Sequence, residues 1–240
     1  MRPRQRLALL LGLIAAIIFV RLGFWQLARL RARRLHNDLI VARMVAPPVS
    51  PFNLIPGTRQ YRRVSWSGTF DFDHQIVLAG RSHDGSPGVY LITPFNPDIP
   101  APALLVNRGW VYSPDAQHVD FARFDETPHQ TITGYVEEFE LGGDGPARMA
   151  STPYAWRRLD AREIRDAFPF QIGPFYVIAL ADSGALPTSH DAPIRLSLPV
   201  LDNGPHLSYA IQWFSFAAIA LVGAGVVMWK DRTVTVSASA

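Results

Sequence analysis

"LSYAIQWFSFAAIALVGAGVVMW", residues 207–229, carries no charge over 23 positions. As a helix it rises about 34 Å, enough to cross the roughly 30 Å hydrocarbon layer of a bilayer. A core helix of a soluble domain is the competing reading. The length, the absence of charge, and Trp229 and Lys230 at interface positions in the closing "MWKDR" favour a membrane span. A second apolar block stands at the other end of the chain. Leu7 to Val20 has no polar residue, and with Arg21 allowed to snorkel the stretch continues to Leu27, 21 residues or about 31 Å of helix. The basic "MRPRQR" ahead of it also suits a cleaved signal peptide. The next residues, however, are "RLGFWQLARLRARR" (21–34), bulky and basic with no small-x-small cleavage site, so the block reads as an uncleaved anchor.

Charge divides the chain the same way. Residues 1–36 hold eight arginines and no acid, whereas residues 37–206 hold 13 arginines against 19 acids, a net of −6. The formal net charge of +3 therefore describes the anchor, not the body. A body without a basic stripe excludes a nucleic-acid partner. The "ARLRARR" run suits anionic lipid headgroups or a solvated helical face. Two spans place both termini on one side and residues 46–206 on the other. The arginines and lysine flanking the spans are close to balanced, so charge does not decide which side. With no cysteine there are no disulfides and no thiolate metal sites.

Between the spans the pattern changes period. A helical continuation is expected over residues 28–45 and stops at "APPVSP" (46–51), a proline-rich break. In "RRVSWSGTF" (62–70), Val64, Trp66, Gly68 and Phe70 alternate with polar residues, the period of a half-buried strand. "QIVLAGR", "GVYLITPF", "ALLVNRGWV", "QTITGYVEEF", "FYVIAL" and "IRLSLPV" come next, parted by turn-forming clusters such as "SHDGSPG" and "NPDIPAP". One helix is expected near residues 160–167, with Asp160 and Glu163 at capping-box spacing. The expected fold is thus a membrane protein in which two transmembrane α-helices (7–27 and 207–229) flank a mostly antiparallel β (α+β) domain. Residues 1–6 and 230–240 are short tails.

Catalytic motifs are missing: there is no G-x-S-x-G, P-loop, dinucleotide fingerprint or H-E-x-x-H. Ser82, His83, Asp84 and Ser86 lie in a loop whose composition a turn explains. The seven histidines never fall at i, i+2 or i, i+4, and Glu137, Glu138 and Glu140 suit a solvated strand end. "LLVNRGWV" (104–111) is more informative. On a regular strand Leu104, Val106, Arg108 and Trp110 share one face, which leaves two readings. In one, Arg108 stacks on Trp110 or pairs with an acid. In the other, Asn107, Arg108, Gly109 and Trp110 form a docking surface.

Five motifs in order, "LGFWQLARLRAR" (22–33), "YRRVSWSGTFD" (61–71), Arg81 with "GSPGVYLITPF" (85–95), "LLVNRGWV" and "PHLSYAIQWFSFA" (205–217), resemble the surfeit locus protein 1 (Shy-type) family. The resemblance implies an assembly factor for cytochrome c oxidase, not an enzyme, in a bacterial inner membrane with its domain periplasmic and its termini cytoplasmic. It also implies haem A as cargo, subunit I of the oxidase as its destination, and haem A synthase and membrane lipids as further partners. Against that expectation His206 would be the iron ligand and metal site. Tyr209 and Trp213 on its helical face, with Trp25, would flank the ring, Arg21 would supply the charge for a propionate, and Gln26 ends the first span at the same depth. Interfacial belts also collect Trp, Tyr and His, so a scaffold that grips oxidase subunits without a cofactor stands as the alternative.

Overall fold

A computed structural model of the chain describes residues 3–181 and 192–237. Its elements run α1 (Pro3–Val45), β1 (Arg63–Phe70), β2 (Ile76–His83), β3 (Ser86–Pro97), β4 (Ala103–Tyr112), β5 (His129–Glu138), β6 (Ala155–Trp156), α2 (Ala161–Ala167), β7 (Ile172–Ala179) and α3 (His206–Ser237). They fall into two units, residues 1–39 with 200–240, and residues 40–199.

In the second unit the strands form one sheet in the order β1-β5-β7-β4-β3-β2-β6, and β1 also pairs with β3. The five strands β1, β5, β7, β4 and β3 therefore close into a ring, leaving β2 and β6 as a flap on its outer side. Closure runs through Gly68↔Pro97, Thr69↔Asn96 and Phe70↔Phe95. A Cβ at position 68 would overlap the Asn96 carbonyl oxygen, so the join needs glycine. The alternation read from "RRVSWSGTF" is present: Val64, Trp66 and Phe70 point inward and are buried. They meet Phe95, Leu104, Val106, Ile132 and Val177 in a filled interior. Phe95 contacts Phe70 and Trp66 edge-on at 4.7 and 5.4 Å, the arrangement that aromatic quadrupoles favour.

Most neighbours are antiparallel, as expected, but β4 pairs with β7 in parallel, because the chain reaches β7 through β5 and α2. β6, two residues parallel to β2, was not expected. "IRLSLPV" was expected as a strand and is not one. Ile194 alone bridges β4, exchanging backbone hydrogen bonds with Trp110 at 2.7 and 2.8 Å. The physical reason is occupancy: β4 already has β3 on one edge and β7 on the other as far as Asn107, so only its last residues are free to pair. "SHDGSPG" is a two-residue hairpin turn in which Asp84 (φ +48°) and Gly85 (φ +78°) lie in the left-handed region.

α2 begins where the capping pattern placed it. Asp160 accepts from the Arg162 and Glu163 amides at 2.9 and 3.3 Å and from the Gly142 amide at 2.8 Å. These amide bonds, the one from Arg162 foremost, hold its carboxyl below the ordinary 3.8. Glu163 does not close the capping box. It accepts from the Ala147 and Arg148 amides instead, tying the preceding loop to the helix. Glu137 and Glu138 accept from Gln60 Nε2 and Arg59 Nε, each at 3.0 Å, and fasten the approach to β1 onto β5.

Asn107–Trp110, read as a possible docking surface, are buried in the sheet, where β4 carries a bulge. Register shifts between Ile92↔Asn107 and Leu91↔Gly109, which leaves Arg108 as the extra residue. Pairing parity then places Trp110 opposite Tyr90, on the face of Leu105 and Asn107, while Leu104, Val106 and Arg108 face the other way. The shared face of Arg108 and Trp110 is thereby corrected. Asn107 Oδ1 accepts from the Gly109 amide at 3.0 Å and shapes the bulge. Gly109 has φ +125°, and a Cβ there would overlap the Ile194 carbonyl. Arg108 is 0% exposed. Its Nε donates to Glu126 Oε1 at 3.1 Å and Nη1 to Gln75 Oε1 at 2.8 Å and Thr93 Oγ1 at 3.4 Å, while Nη2 donates to the Phe124 carbonyl. The guanidinium carbon lies 5.3 and 5.1 Å from the centres of Phe70 and Phe72. Arg195 bridges the Arg108 carbonyl and Glu126.

In the first unit α1 and α3 run antiparallel, since contacts pair Gly12 with Ala224, Phe19 with Trp213, Gly23 with Phe214 and Gln26 with His206. The seam repeats every seven residues, through Ala16, Gly23, Leu30 and Asn37 on α1 and Ala210 and Ala217 on α3. Small residues set the spacing: a Cβ on Gly23 would lie 2.6 Å from the Phe214 ring. Away from the seam both helices expose apolar side chains, including Leu10, Leu11, Ile17, Ile18, Ile211, Ile219 and Val222. Both are long and apolar enough to cross a membrane.

Residues 40–199 expressed alone should be soluble and dominated by strand in far-UV circular dichroism; a chiefly helical spectrum contradicts the ring. Within that domain Arg108→Ala should cost at least about 3 kcal/mol in denaturant unfolding, because Glu126 and Gln75 lose a buried partner. Asp160→Ala should cost about 1 kcal/mol at neutral pH. That cost should shrink as pH falls from the ordinary carboxyl value through the depressed folded-state value, since the native amides favour only the ionised form and the advantage is lost on protonation.

Candidate functional site

The polar groups of the first unit gather where α3 begins. The chain enters α3 through Asp202, Asn203, Gly204 and Pro205, and side chains of α1 fix that turn. Asn37 Nδ2 donates to the Asp202 carbonyl and to Asn203 Oδ1, both at 3.2 Å, and Arg33 Nε donates to the Asp202 carbonyl at 3.1 Å. The Asp202 carboxylate turns back to accept from the Gly204 amide at 3.0 Å. Gly204 takes φ +69°, which glycine adopts without strain. His206, the first residue of α3, is thereby presented to α1.

There the Nδ1 atom of His206 lies 2.8 Å from Oε1 of the buried Gln26. With an amide oxygen as partner, Nδ1 carries the proton and donates, which leaves Nε2 as the nitrogen that can offer a lone pair. Metal-binding histidines are commonly oriented in this way, one nitrogen bonded to a protein oxygen and the other free to ligate. A cleft of about 470 Å3 adjoins the ring, lined by Arg29, Ala32, Arg33, His36, Asp202, Gly204 and His206. A Cβ on Gly204 would come within 3.4 Å of Nε2, so the absence of a side chain there keeps that nitrogen clear.

The structure unites only part of the expected set. Gln26 and His206 meet. Trp213 stacks on Phe19 across the seam, centroids 5.7 Å apart and planes 25° apart, so its ring is engaged with α1. Tyr209 lies off the seam, 47% exposed, and Ala210 takes the buried place beside it. Arg21 and Trp25 line a different groove of about 650 Å3, whose other walls are Leu13, Ala16, Ile17, Val20, Phe24 and Leu221. The cationic groups beside His206 are instead Arg29 and Arg33, with His36 further along α1. Their i, i+4, i+7 spacing was the available sequence signal, but in an arginine-rich run it did not stand out. Asn107, Arg108, Gly109 and Trp110 belong to the bulge in the other unit.

One further constellation has a catalytic outline. Thr152 Oγ1 lies 3.2 Å from His118 Nε2, and His118 Nδ1 is hydrogen-bonded to Asp115 Oδ2. Hydrogen bonds hold the Asp115 carboxyl well below the usual range, first from the His118 amide, then from the His118 ring, the Gln117 amide and Ser113. Thr152, however, is 2% exposed and no substrate can reach its hydroxyl. The chain of bonds ties the loop after β4 to the loop before β6. Among the described residues no group of three His, Cys, Asp or Glu side chains could hold a metal ion.

Comparison with known proteins gives this arrangement a family. Residues 13–218 match the SURF1 family. A SURF1-like protein of Rickettsia felis is 30% identical over 217 residues, spanning 89% of this chain and 93% of its own length. One from Rickettsia bellii is 31% identical, with 88% and 86% covered. An uncharacterized SURF1-like protein of Mycobacterium tuberculosis is 29% identical over 234 residues, with 94% and 83% covered. The match takes in most of α1, the ring, the turn that presents His206 and the start of α3, and the chain belongs to the SURF1 family.

Proposed function

We propose that this protein is a membrane-anchored assembly factor for cytochrome c oxidase that holds haem A at His206 and helps its insertion into subunit I, with haem A synthase as a further partner. The observation that carries the reading is the Gln26–His206 hydrogen bond, which leaves Nε2 as a free ligand atom at a cleft bearing two arginines. Haem A is cargo here: the iron offers a site for an imidazole nitrogen and the carboxylates a site for cations. The donor set suits it. His206 Nε2 would take the iron, Gln26 would hold the tautomer, and Gly204 leaves room for the approach. Tyr209, exposed three residues on from His206, would be free to meet a ring edge. Trp213 is less well placed, and its stacking on Phe19 favours the second reading, a scaffold that grips oxidase subunits through its helices without a cofactor.

The apolar surfaces of α1 and α3 support insertion, because side chains such as Leu10, Ile17, Ile211 and Val222 find no protein cover in the described structure. We place the protein in a bacterial inner membrane with residues 46–206 periplasmic and both termini cytoplasmic. On the domain side Arg31 and Arg34 of the "ARLRARR" run, which do not line the cleft, then meet lipid headgroups.

Two experiments test this reading. Alkaline phosphatase fused after Asp144 should be active and a fusion after Ala240 inactive; the reverse pattern contradicts the topology. Purified in detergent from cells that make haem A, the wild-type protein should show Soret absorption. His206→Ala should lose most of it while keeping its far-UV circular dichroism and its expression level. Equal haem occupancy and an unchanged spectrum in His206→Ala would leave the scaffold reading in its place.

A further inference from the structure

We infer that Arg29 and Arg33, and not Arg21, receive the carboxylates of the bound macrocycle, so that the cleft beside His206 is a two-point site: an iron ligand at one end and a pair of guanidinium groups along α1. This rests on the reading of His206 as the ligand and adds the groups that orient the cargo.

Position along α1 favours this pair. Gln26, which holds His206, is followed by Arg29 three residues on and Arg33 seven residues on. They stand about 4.5 and 10.5 Å further along the helix axis. All three lie on the side of α1 that faces the α3 entry turn. His206, Arg29 and Arg33 line one cleft. Arg21 lines another, whose remaining walls carry no charged side chain, and it has no hydrogen bond to bring it toward His206 among the contacts described. A ring ligated at Nε2 and reaching into the 470 Å3 cleft would extend toward Arg29 and Arg33.

Both arginines are also preorganised. Arg33 commits Nε to the Asp202 carbonyl, which fixes the guanidinium against the turn and leaves Nη1 and Nη2 as a fork for one carboxylate. Arg29 lies over the Trp25 ring at 5.9 Å, which steadies it without using any of its five donors. Asp202 lines the same cleft and is the one acid there, but its carboxylate is turned onto the Gly204 amide. Both arginines are exposed and stand beyond Leu27, the last residue of the apolar block. At that boundary carboxylates stay ionised and hydrated while the ring lies toward the apolar side.

A lipid phosphate offers the same chemistry as a carboxylate, so the test has to separate the two. Full-length protein in detergent is loaded with haem A or with its dimethyl ester, and release is timed by transfer to excess apomyoglobin. The variants are Arg29→Gln with Arg33→Gln, Arg21→Gln, and His206→Ala. Loading is repeated in nanodiscs of phosphatidylcholine alone and with phosphatidylglycerol. The double variant should release the free acid at least about tenfold faster than wild type, as expected for lost charge-assisted hydrogen bonds. It should release the ester at the wild-type rate, and Arg21→Gln should change neither. The inference is overturned if the double variant releases free acid at the wild-type rate, if acid and ester respond alike, if Arg21→Gln alone speeds release, or if the effect appears only with phosphatidylglycerol, which would make the arginines a headgroup site. In each of those cases His206-dependent loading still stands. A wild-type protein that takes up no haem A, or His206→Ala that loads normally, sinks the ligand reading itself and this inference with it.

Discussion

A guanidinium sealed away from water organises the strand unit. Stripping a charge of its hydration costs several kcal/mol even in a relaxed protein, and the cost is tolerable only when the donors are satisfied. Arg108 meets that condition with partners drawn from separate parts of the chain: Gln75 ahead of β2, Thr93 on β3, and Phe124 and Glu126 from the segment between β4 and β5. Desolvation pulls its pKa below the ordinary value, opposed chiefly by Glu126. Phe70 and Phe72 cover the faces of the group, and Phe70 is also a closing residue of the ring. Ring closure, the bulge of β4 and the docking of the 120s segment therefore meet at this one group. Arg195, reaching from beyond β7 to the same Glu126, ties its own segment into that arrangement.

The helical unit rests on a different constraint. Small residues of its seam, such as Gly23, leave room for aromatic rings of the facing helix, and its buried polar side chains, Gln26 and Asn37, both lie toward one end. That segregation is what apolar surroundings demand of two helices, since each unpaired polar group away from water is costly. Its consequence is a histidine held by a single amide oxygen, beside a cleft that carries cations. In the proposed reading the committed nitrogen orients the ring and the other would take the metal.

How much of this could be read beforehand differs by residue. The period of two in "RRVSWSGTF" marked β1 and its inward face, and Asp160 marked the start of α2, because both signals are local. Gly68 was counted among inward residues, yet its task, making room for Asn96 at the closure of the ring, depends on a strand nearly thirty positions away. "IRLSLPV" had strand composition and no free edge to join. The bulge at Arg108 moved Trp110 to the opposite face, since one extra residue inverts the alternation beyond it.

The candidate site divides in the same manner. The sequence by itself determined two helices long and apolar enough to span a bilayer, a strand-rich body between them, and a histidine and a glutamine at the ends of the two apolar blocks, since hydrophobic period, length and charge are properties of neighbouring residues. Only the tertiary structure decided that Gln26 meets His206, that Trp213 is taken up by Phe19, that Arg29 and Arg33 rather than Arg21 stand at the cleft, and that Arg108 is core rather than surface. Those outcomes depend on which helix face turns inward and which strand edge is already paired, and both are fixed by packing between residues far apart in the chain.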